Sequence, residues 1–263
     1  VVPDAALQME CARTLAEAGG DPPYRGSSRV VEALLHMATG GGEDVAVVAH
    51  HEAGVREAIA TDLSRFGYRV EKVATGREAV LATRAMADTV LVVLAARTIV
   101  PSALETVQLI QRQPFGDIPP VLVAVDPLDD DGRGKFLTCL ILSFSDLDCV
   151  GVTDRLDSLF RPTIDPATGA VVAPPRLPDR LAEIAGPDAV SPASRQARSV
   201  ARRTRAAQAL ALLADLGRRG WDVSAAETTA RSALMQPPQE GSPTDLFEPA
   251  AALLSTIGTA RAQ

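Results

Sequence analysis

Two adjacent histidines followed by a glutamate, His50, His51 and Glu52, are the residues of this chain whose types most suggest metal chemistry. Imidazoles and carboxylates are common ligands of transition metals. A metal centre needs three or four converging ligands, however, and His36 is the only other histidine in the sequence. The pattern therefore favours a solvated loop over a metal centre, and we predict no bound metal.

A second segment with chemical potential is the acidic, glycine-containing run DDDGRGK at residues 129–135. It lacks the distant glutamate of a calcium-binding EF-hand loop and the spacing of a nucleotide-binding P-loop. The chain also has no GxSxG or HExxH motif, and no cysteine and histidine meet at the end of a predicted strand. We therefore predict a flexible acidic loop, no enzymatic activity and no cofactor.

Four arginines near the end of the chain form a basic stripe. Arg195, Arg198, Arg202 and Arg205 fall at i, i+3, i+7 and i+10, so they share one face of a predicted helix. A basic stripe can bind a phosphate backbone. The formal net charge of −7 and an aromatic content of only 3% disfavour nucleic acid as a partner. We expect a solvated face or a contact surface for an acidic protein.

The elements that would position these residues lie between positions 43 and 165, where apolar runs alternate between extended and helical periods. The uniformly apolar runs 45–49 and 89–94 are typical of parallel strands buried on both faces. Strands that alternate with helices in one direction predict an α/β fold, a doubly wound five-stranded parallel sheet.

The flanks of this segment differ from it in composition. Residues 1–42 and 194–263 have helical periods, and residues 166–193 are rich in Pro, Gly and Ala. We predict four parts: a helical segment (1–42), an α/β domain (43–165), a linker with a short helix near 181–185 (166–193) and a second helical segment (194–263).

Several motifs of the α/β segment occur in the order and spacing of a response-regulator receiver domain. They are the apolar strand ending in His50-His51-Glu52, Arg56, the run Phe66-Gly67-Tyr68, the stretch 74–80 (ATGREAV), the strand 119–125 (PPVLVAV) and Arg161-Pro162. Residues 43–165 therefore resemble that family, which implies a receiver- or flavodoxin-like sheet. The resemblance also implies a docking or dimer surface within residues 136–165.

The same resemblance implies that the receiver's chemistry is lost. A receiver binds Mg²⁺, a cation that prefers oxygen ligands, through an acidic pair, and that pair is here His50 and His51. The phosphate-accepting aspartate position falls on Val93, or on Leu94 if the register slips by one. The switch hydroxyl position is Val125 and the lysine position is Arg161. We expect a domain that cannot be phosphorylated, a pseudo-receiver.

The flanking helices are similar to HEAT-type helical repeats in two places. Residues 7–15 have the amphipathic pattern of a repeat helix, and residues 253–258 resemble the junction between two repeat helices. Because such repeats bury their cores by stacking, the resemblance implies a repeat protein that carries a receiver-like insertion.

From these observations we expect a non-catalytic signalling or scaffolding module that binds a protein or another part of its own chain, a homodimer being one form. The alternatives are an active receiver with an unusual acceptor and a ligand sensor at the carboxyl ends of the strands. We find no run of ~18 apolar residues that could cross a membrane. Three widely spaced cysteines, Cys11, Cys139 and Cys149, predict buried free thiols and a cytoplasmic location.

Overall fold

The computed structural model describes residues 4–18, 26–98, 100–114, 116–125, 147, 150–153, 157–160, 163–164, 167–173, 176–187, 190–236 and 245–262. The helices are α1 Ala5–Ala18, α2 Ser27–Ala38, α3 Ala53–Arg65, α4 Gly76–Ala85, α5 Ala103–Gln111, α6 Asp157–Phe160, α7 Leu177–Ala185, α8 Pro192–Arg218, α9 Glu227–Leu234 and α10 Phe247–Ala262. The strands are β1 Val45–Ala49, β2 Arg69–Val73, β3 Thr89–Ala95, β4 Val121–Ala124, β5 Val150–Thr153, β6 Thr163–Ile164 and β7 Val171–Ala173.

Five strands form one parallel sheet in the order β2-β1-β3-β4-β5. This order is compatible with a flavodoxin-like fold. The α/β class and the five-stranded parallel sheet predicted from the sequence are therefore confirmed. The central strand β1 is buried along its whole length, as expected for a parallel strand covered on both sides.

Alternate residues of the central strands enter two separate cores. Val47 and Leu94 pack with α4 and α5, while Val48 and Val93 pack with α3 and α7. This division follows from the period of two along a strand, which sends successive side chains to opposite faces.

The helices α4 and α5 begin at side chains that cap them. Thr75 accepts a hydrogen bond from the Glu78 amide (3.2 Å), and Ser102 accepts one from the Glu105 amide (3.3 Å). The Glu105 carboxylate also accepts from the Ser102 amide (2.9 Å), which completes a capping box. These caps fix where each connection from the sheet becomes helical.

The predicted linker 166–193 is more structured than its composition suggested. Strands β6 and β7 pair antiparallel, and α7 begins four residues before the predicted helix. Leu177 and Leu181 of α7 are 1% and 5% exposed in the core that α3 shares with the sheet. Because these leucines cover the sheet, the α/β unit extends past the predicted boundary at 165 to Ala185.

The two flanking segments, predicted as separate, form one helical unit. Residues of α1, α2, α8, α9 and α10 share a single apolar core, represented by Met9, Leu34, Leu210, Ala230 and Leu253. The 27-residue helix α8 lies at its centre and contacts α1, α2 and α10. The segments that open and close the chain therefore bury each other's apolar faces.

Two further expectations concern the surface. Cys11 is a free, exposed thiol, so the prediction of buried thiols is wrong for this residue, whereas Cys139 and Cys149 lie outside the described residues. Within the described part of the chain, no helix combines the length and the apolar character needed to span a bilayer.

Candidate functional site

The first candidate site is the carboxyl edge of the sheet, where β1, β3 and β4 end. His50 directly follows β1 and is 2% exposed. Its ring stacks on that of His51 at a centroid distance of 4.7 Å, and its Nδ1 accepts from the Glu52 amide at 3.1 Å. Arg56 donates to the His50 carbonyl at 2.6 Å. This turn is therefore held by its own hydrogen bonds, and it is not the solvated loop expected for His50.

Nothing among the described residues makes this edge a metal centre. No group of three or more His, Cys, Asp or Glu side chains there is placed to hold a metal ion. The carboxylate of Glu52 is exposed, and the Nδ1 of His50 is already used as an acceptor within the turn.

The register of β3 shows where the two expected acceptor positions, Val93 and Leu94, lie in the sheet. Val93 pairs with Val48 and Leu122 inside the sheet and packs in the α3–α7 core, so it does not lie at the edge. Ala49 pairs with Leu94, which brings Ala95 level with His50. The β1–β3 register shifts at Val45/Ala46 and leaves one extra residue, Val90, in β3.

The other predicted receiver positions are partly described. Val125 lies directly after β4, is 3% exposed and donates its amide to the Thr153 carbonyl at 2.9 Å. Arg161 lies outside the described residues. His50, Ala95 and Val125 thus meet at the carboxyl edge, and their side chains supply no carboxylate oxygen there.

The opposite, amino edge of the sheet carries the densest charge cluster of the described residues. Asp44 and Asp88 directly precede β1 and β3, so parallel pairing brings them to the same edge. Arg202 of α8 places Nη2 2.5 Å from Asp44 and Nε 3.1 Å from Asp88. The Nε contact satisfies the ion-pair distance without the alignment of a hydrogen bond, so its contribution is electrostatic. All three side chains are at least nine-tenths buried.

The glycine run before β1 belongs to the same cluster. The amides of Gly41 and Gly42 donate to Asp88 at 2.5 and 3.1 Å, and the Gly42 carbonyl accepts from Arg202 at 3.4 Å. A Cβ on Gly41 would come within 2.8 Å of the Gln236 side chain. The absence of a side chain at Gly41 therefore leaves room for Gln236 beside the cluster.

Burial raises the pKa of the Asp88 carboxyl. The charged Arg202 and the amides of Gly41 and Gly42 act in the opposite direction and offset only part of the shift. Asp88 therefore holds its proton to a higher pH in the folded chain than in the unfolded chain.

These contacts correct the expectation of a solvated basic stripe. Arg202 is 6% exposed, Arg195 forms a 2.7 Å ion pair with Asp44, and Arg205 lies 3.6 Å from Asp117. Three residues of the arginine face (Arg195, Arg198, Arg202 and Arg205) therefore meet acidic residues of the same chain: Arg195, Arg202 and Arg205. The helical period predicted which arginines share a face, but it could not show what that face contacts.

The residues that sequence reasoning missed are the acidic partners Asp44, Asp88 and Asp117, together with Tyr68. The Arg195 guanidinium lies 4.8 Å from the centre of the Tyr68 ring, and burial raises the pKa of the Tyr68 hydroxyl. The sequence contained a usable pattern for two of these residues, because Asp44 and Asp88 each directly precede an apolar run that forms a buried strand.

Replacing Arg202 by Met should destabilise the chain strongly, because it leaves the buried Asp88 without its cationic partner. We expect a loss of about 3–5 kcal/mol in the free energy of unfolding by urea. The matched control is Arg205→Met on the same helix, whose partner Asp117 is 64% exposed. That control should lose less than about 1 kcal/mol. Equal losses in the two variants would contradict the assignment of Arg202 as the central contact.

The raised pKa of Asp88 should appear as a pH-dependent difference between the wild type and Asp88→Asn. The folded chain holds the Asp88 proton more tightly than the unfolded chain does. The favourable contribution of this proton to the free energy of unfolding is therefore fully present below the unfolded pKa of about 3.9. It is lost as the pH rises through the raised folded pKa, whereas asparagine does not titrate. We expect the unfolding free energy of the wild type minus that of the variant to be larger at pH 4 than at pH 8, as measured by urea unfolding. A difference that stayed constant or increased from pH 4 to pH 8 would show that the pKa of Asp88 is not raised in the folded chain.

The two edges of the sheet thus differ in chemistry, the carboxyl edge being aliphatic and imidazole-bearing and the amino edge charged. Comparisons with protein-family models, with curated proteins and with solved structures find no match to this chain. Its function is therefore inferred from the geometry of these two edges.

Proposed function

We propose that this chain is a non-catalytic interaction module in signalling or scaffolding, built on a pseudo-receiver α/β domain joined to a helical unit. The observation that carries the proposal is the composition of the carboxyl edge. His50, Ala95 and Val125 lie at the ends of β1, β3 and β4, and under the receiver resemblance these strand ends would carry carboxylates and a hydroxyl.

The chemistry of these three residues supports the loss of phosphoryl transfer. Mg²⁺ requires oxygen ligands and compensating negative charge, and neither an imidazole nor an aliphatic side chain supplies them. The methyl group of Ala95 cannot form an acyl phosphate. In an active receiver, the carboxylates at this edge repel one another and destabilise the folded state. Side chains without that charge remove the repulsion, so the edge can pack as part of the core.

The scaffold supports the receiver-like part of the proposal. The strand order is compatible with a flavodoxin-like fold, and the two apolar cores on opposite faces support a doubly wound arrangement. The helical unit supports the repeat-like part, because its helices bury one another by side-by-side packing.

The partner we propose is a protein, in the cytoplasm, and a second copy of this chain is one form of it. The surface that the receiver resemblance implies, 136–165, lies largely outside the described residues.

Among the described surfaces, α1 has an unpaired apolar stripe: Leu7 is 60% exposed, Leu15 is 49% exposed, and the exposed Cys11 lies between them at i+4. A further helix stacked on α1 would bury this stripe as in a helical repeat.

The absence of phosphoryl chemistry is tested with Mg²⁺ and either acetyl phosphate or beryllofluoride. We expect no covalent adduct by intact mass spectrometry and no Mg²⁺-dependent change in the amide NMR spectrum. A matched variant carrying His50→Asp, His51→Asp and Ala95→Asp restores carboxylates at the edge and should gain a Mg²⁺-dependent change. An adduct or a beryllofluoride shift in the wild type would instead support an atypical active receiver.

The interaction surface on α1 is tested by affinity recovery of bound proteins from an extract. We expect Leu7→Asp with Leu15→Asp to lose the proteins that the wild type retains, because charge on the stripe prevents apolar burial. The matched control is Leu81→Asp, which alters a 56% exposed leucine on α4. Unchanged recovery by the α1 variant would remove α1 as the docking surface.

A further inference from the structure

A cavity of about 290 Å³ opens at the amino edge of the sheet, between α7 and α8. Most of its lining is apolar and comes from β3, from the segment before β4 and from α7. These apolar residues include Val90, Ile118, Pro119, Pro120, Leu181 and Ala185. Small-molecule sites are usually of this kind, mostly apolar with a few polar groups that fix the orientation of the ligand.

The charged side chains that reach the cavity have partners within the chain. Arg202 lies 2.5 Å from Asp44, and Arg205 lies 3.6 Å from Asp117. Arg198 also interacts with other groups of the chain. A charged group of a ligand would therefore have to give up its hydration beside ion pairs that are already formed, which is costly. The lining favours a ligand without charge.

The hydroxyl of Tyr68 is a polar group of the lining that still lacks a partner. Tyr68 directly precedes β2, and no described residue forms a hydrogen bond with its hydroxyl. By contrast, the Thr89 hydroxyl of the same lining donates to the Met86 carbonyl at 3.1 Å. Burial raises the pKa of the Tyr68 hydroxyl, so this group keeps its proton and can donate it. A hydrogen-bond acceptor on a ligand would satisfy that donor.

The register shift of β3 lies in the wall of the same cavity. Val45 pairs with Thr89 and Ala46 with Leu91, so the intervening Val90 has no partner in β1. Val90 is part of the lining. Bulges of this kind are common beside binding sites, where they change the direction of a side chain.

We propose that this cavity binds a neutral, mostly apolar small molecule that carries one hydrogen-bond acceptor, such as a cyclic ketone or an ester. The acceptor oxygen accepts from the Tyr68 hydroxyl, and the ring body packs on Ile118, Pro119 and Leu181. The volume limits that body to about two fused rings, since it lies at the lower end of the ~300–1,000 Å³ range of ligand cavities. The site is at the amino ends of the strands, and it stands whether or not the proposed pseudo-receiver function is correct.

Occupancy of this site has a structural consequence. The ligand would contact α7 and the sheet, which belong to the α/β unit, and α8, which belongs to the helical unit. It would therefore stabilise the docking of the two units, because it binds only when they are together.

The test uses 1-tetralone as the neutral probe and tetralin-1-carboxylate, the same ring body with a negative charge, as its matched control. Both are titrated into the full chain and followed in its amide NMR spectrum. We expect saturable binding of tetralone and at least about tenfold weaker binding of the carboxylate, because the charge loses its hydration without gaining a free cation. No binding of tetralone at millimolar concentration, or equal or tighter binding of the carboxylate, would overturn the proposal.

Two variants locate the binding. Tyr68→Phe removes the hydroxyl and keeps the ring on which Arg195 lies, and it should weaken tetralone by about three- to tenfold. Ala185→Phe fills the cavity without altering charge and should abolish binding. Because Tyr68→Phe removes a single oxygen, the test stands even if Ala185→Phe folds poorly. Undiminished binding by Tyr68→Phe would show that the hydroxyl does not hold the ligand, and binding that survives Ala185→Phe would place the probe elsewhere.

The matched control is Arg218→Met, which alters a 59% exposed side chain at the far end of α8. This variant should bind tetralone as the wild type does. Tetralone should also raise the thermal unfolding midpoint of the wild type and of Arg218→Met, but not that of Ala185→Phe, since a ligand that binds the folded state stabilises it. An equal rise in all three would contradict binding in the cavity.

Discussion

The buried guanidinium of Arg202 between Asp44 and Asp88 is the contact on which the arrangement of the two units depends. Burying these three charges costs solvation that their mutual attraction only partly recovers, so the cluster contributes more to a single geometry than to net stability. Arg202 also lies on α8, which is the centre of the helical core. Arg202 therefore links the helical core to the edge of the parallel sheet, together with the ion pairs of Arg195 with Asp44 and of Arg205 with Asp117.

The distribution of charge over the sheet is the reverse of what a phosphate-accepting domain of this topology needs. At the carboxyl edge, the described residues are small, aliphatic or engaged in a local histidine turn. At the amino edge, carboxylates and guanidiniums are concentrated and neutralise one another. The carboxylates at the amino edge of the sheet therefore attract the guanidiniums of α8 and hold the two units together. Because they are paired in this way, these carboxylates are not available as ligands for a metal ion.

Much of the α/β unit could be predicted from the period of its apolar residues, since uniformly apolar runs such as 45–49 become strands only when both faces are covered. The register could not, because the extra residue in β3, Val90, lies within a uniformly apolar run and leaves no trace in the sequence pattern. In the same way, the proline-rich composition of 166–193 concealed the two leucines of α7 that cover the sheet. The contacts of the arginine face could not be predicted without knowing that Asp44 and Asp88 directly precede two neighbouring strands of the sheet.

The helical core is assembled from both ends of the sequence, and this has a consequence for biosynthesis. A nascent chain in which α2 is the last helix synthesised has only the smaller part of that core, because α8, α9 and α10 supply most of its residues. The apolar face formed by Val30, Leu34 and Met37 is covered in part by α1, and its packing against α8 must wait until that helix emerges more than 150 residues later. The two apolar cores of the α/β unit come from the continuous stretch 46–190, so this unit can fold before α8 is complete. The early helices would meanwhile need a chaperone or the surface of the finished sheet to shield them.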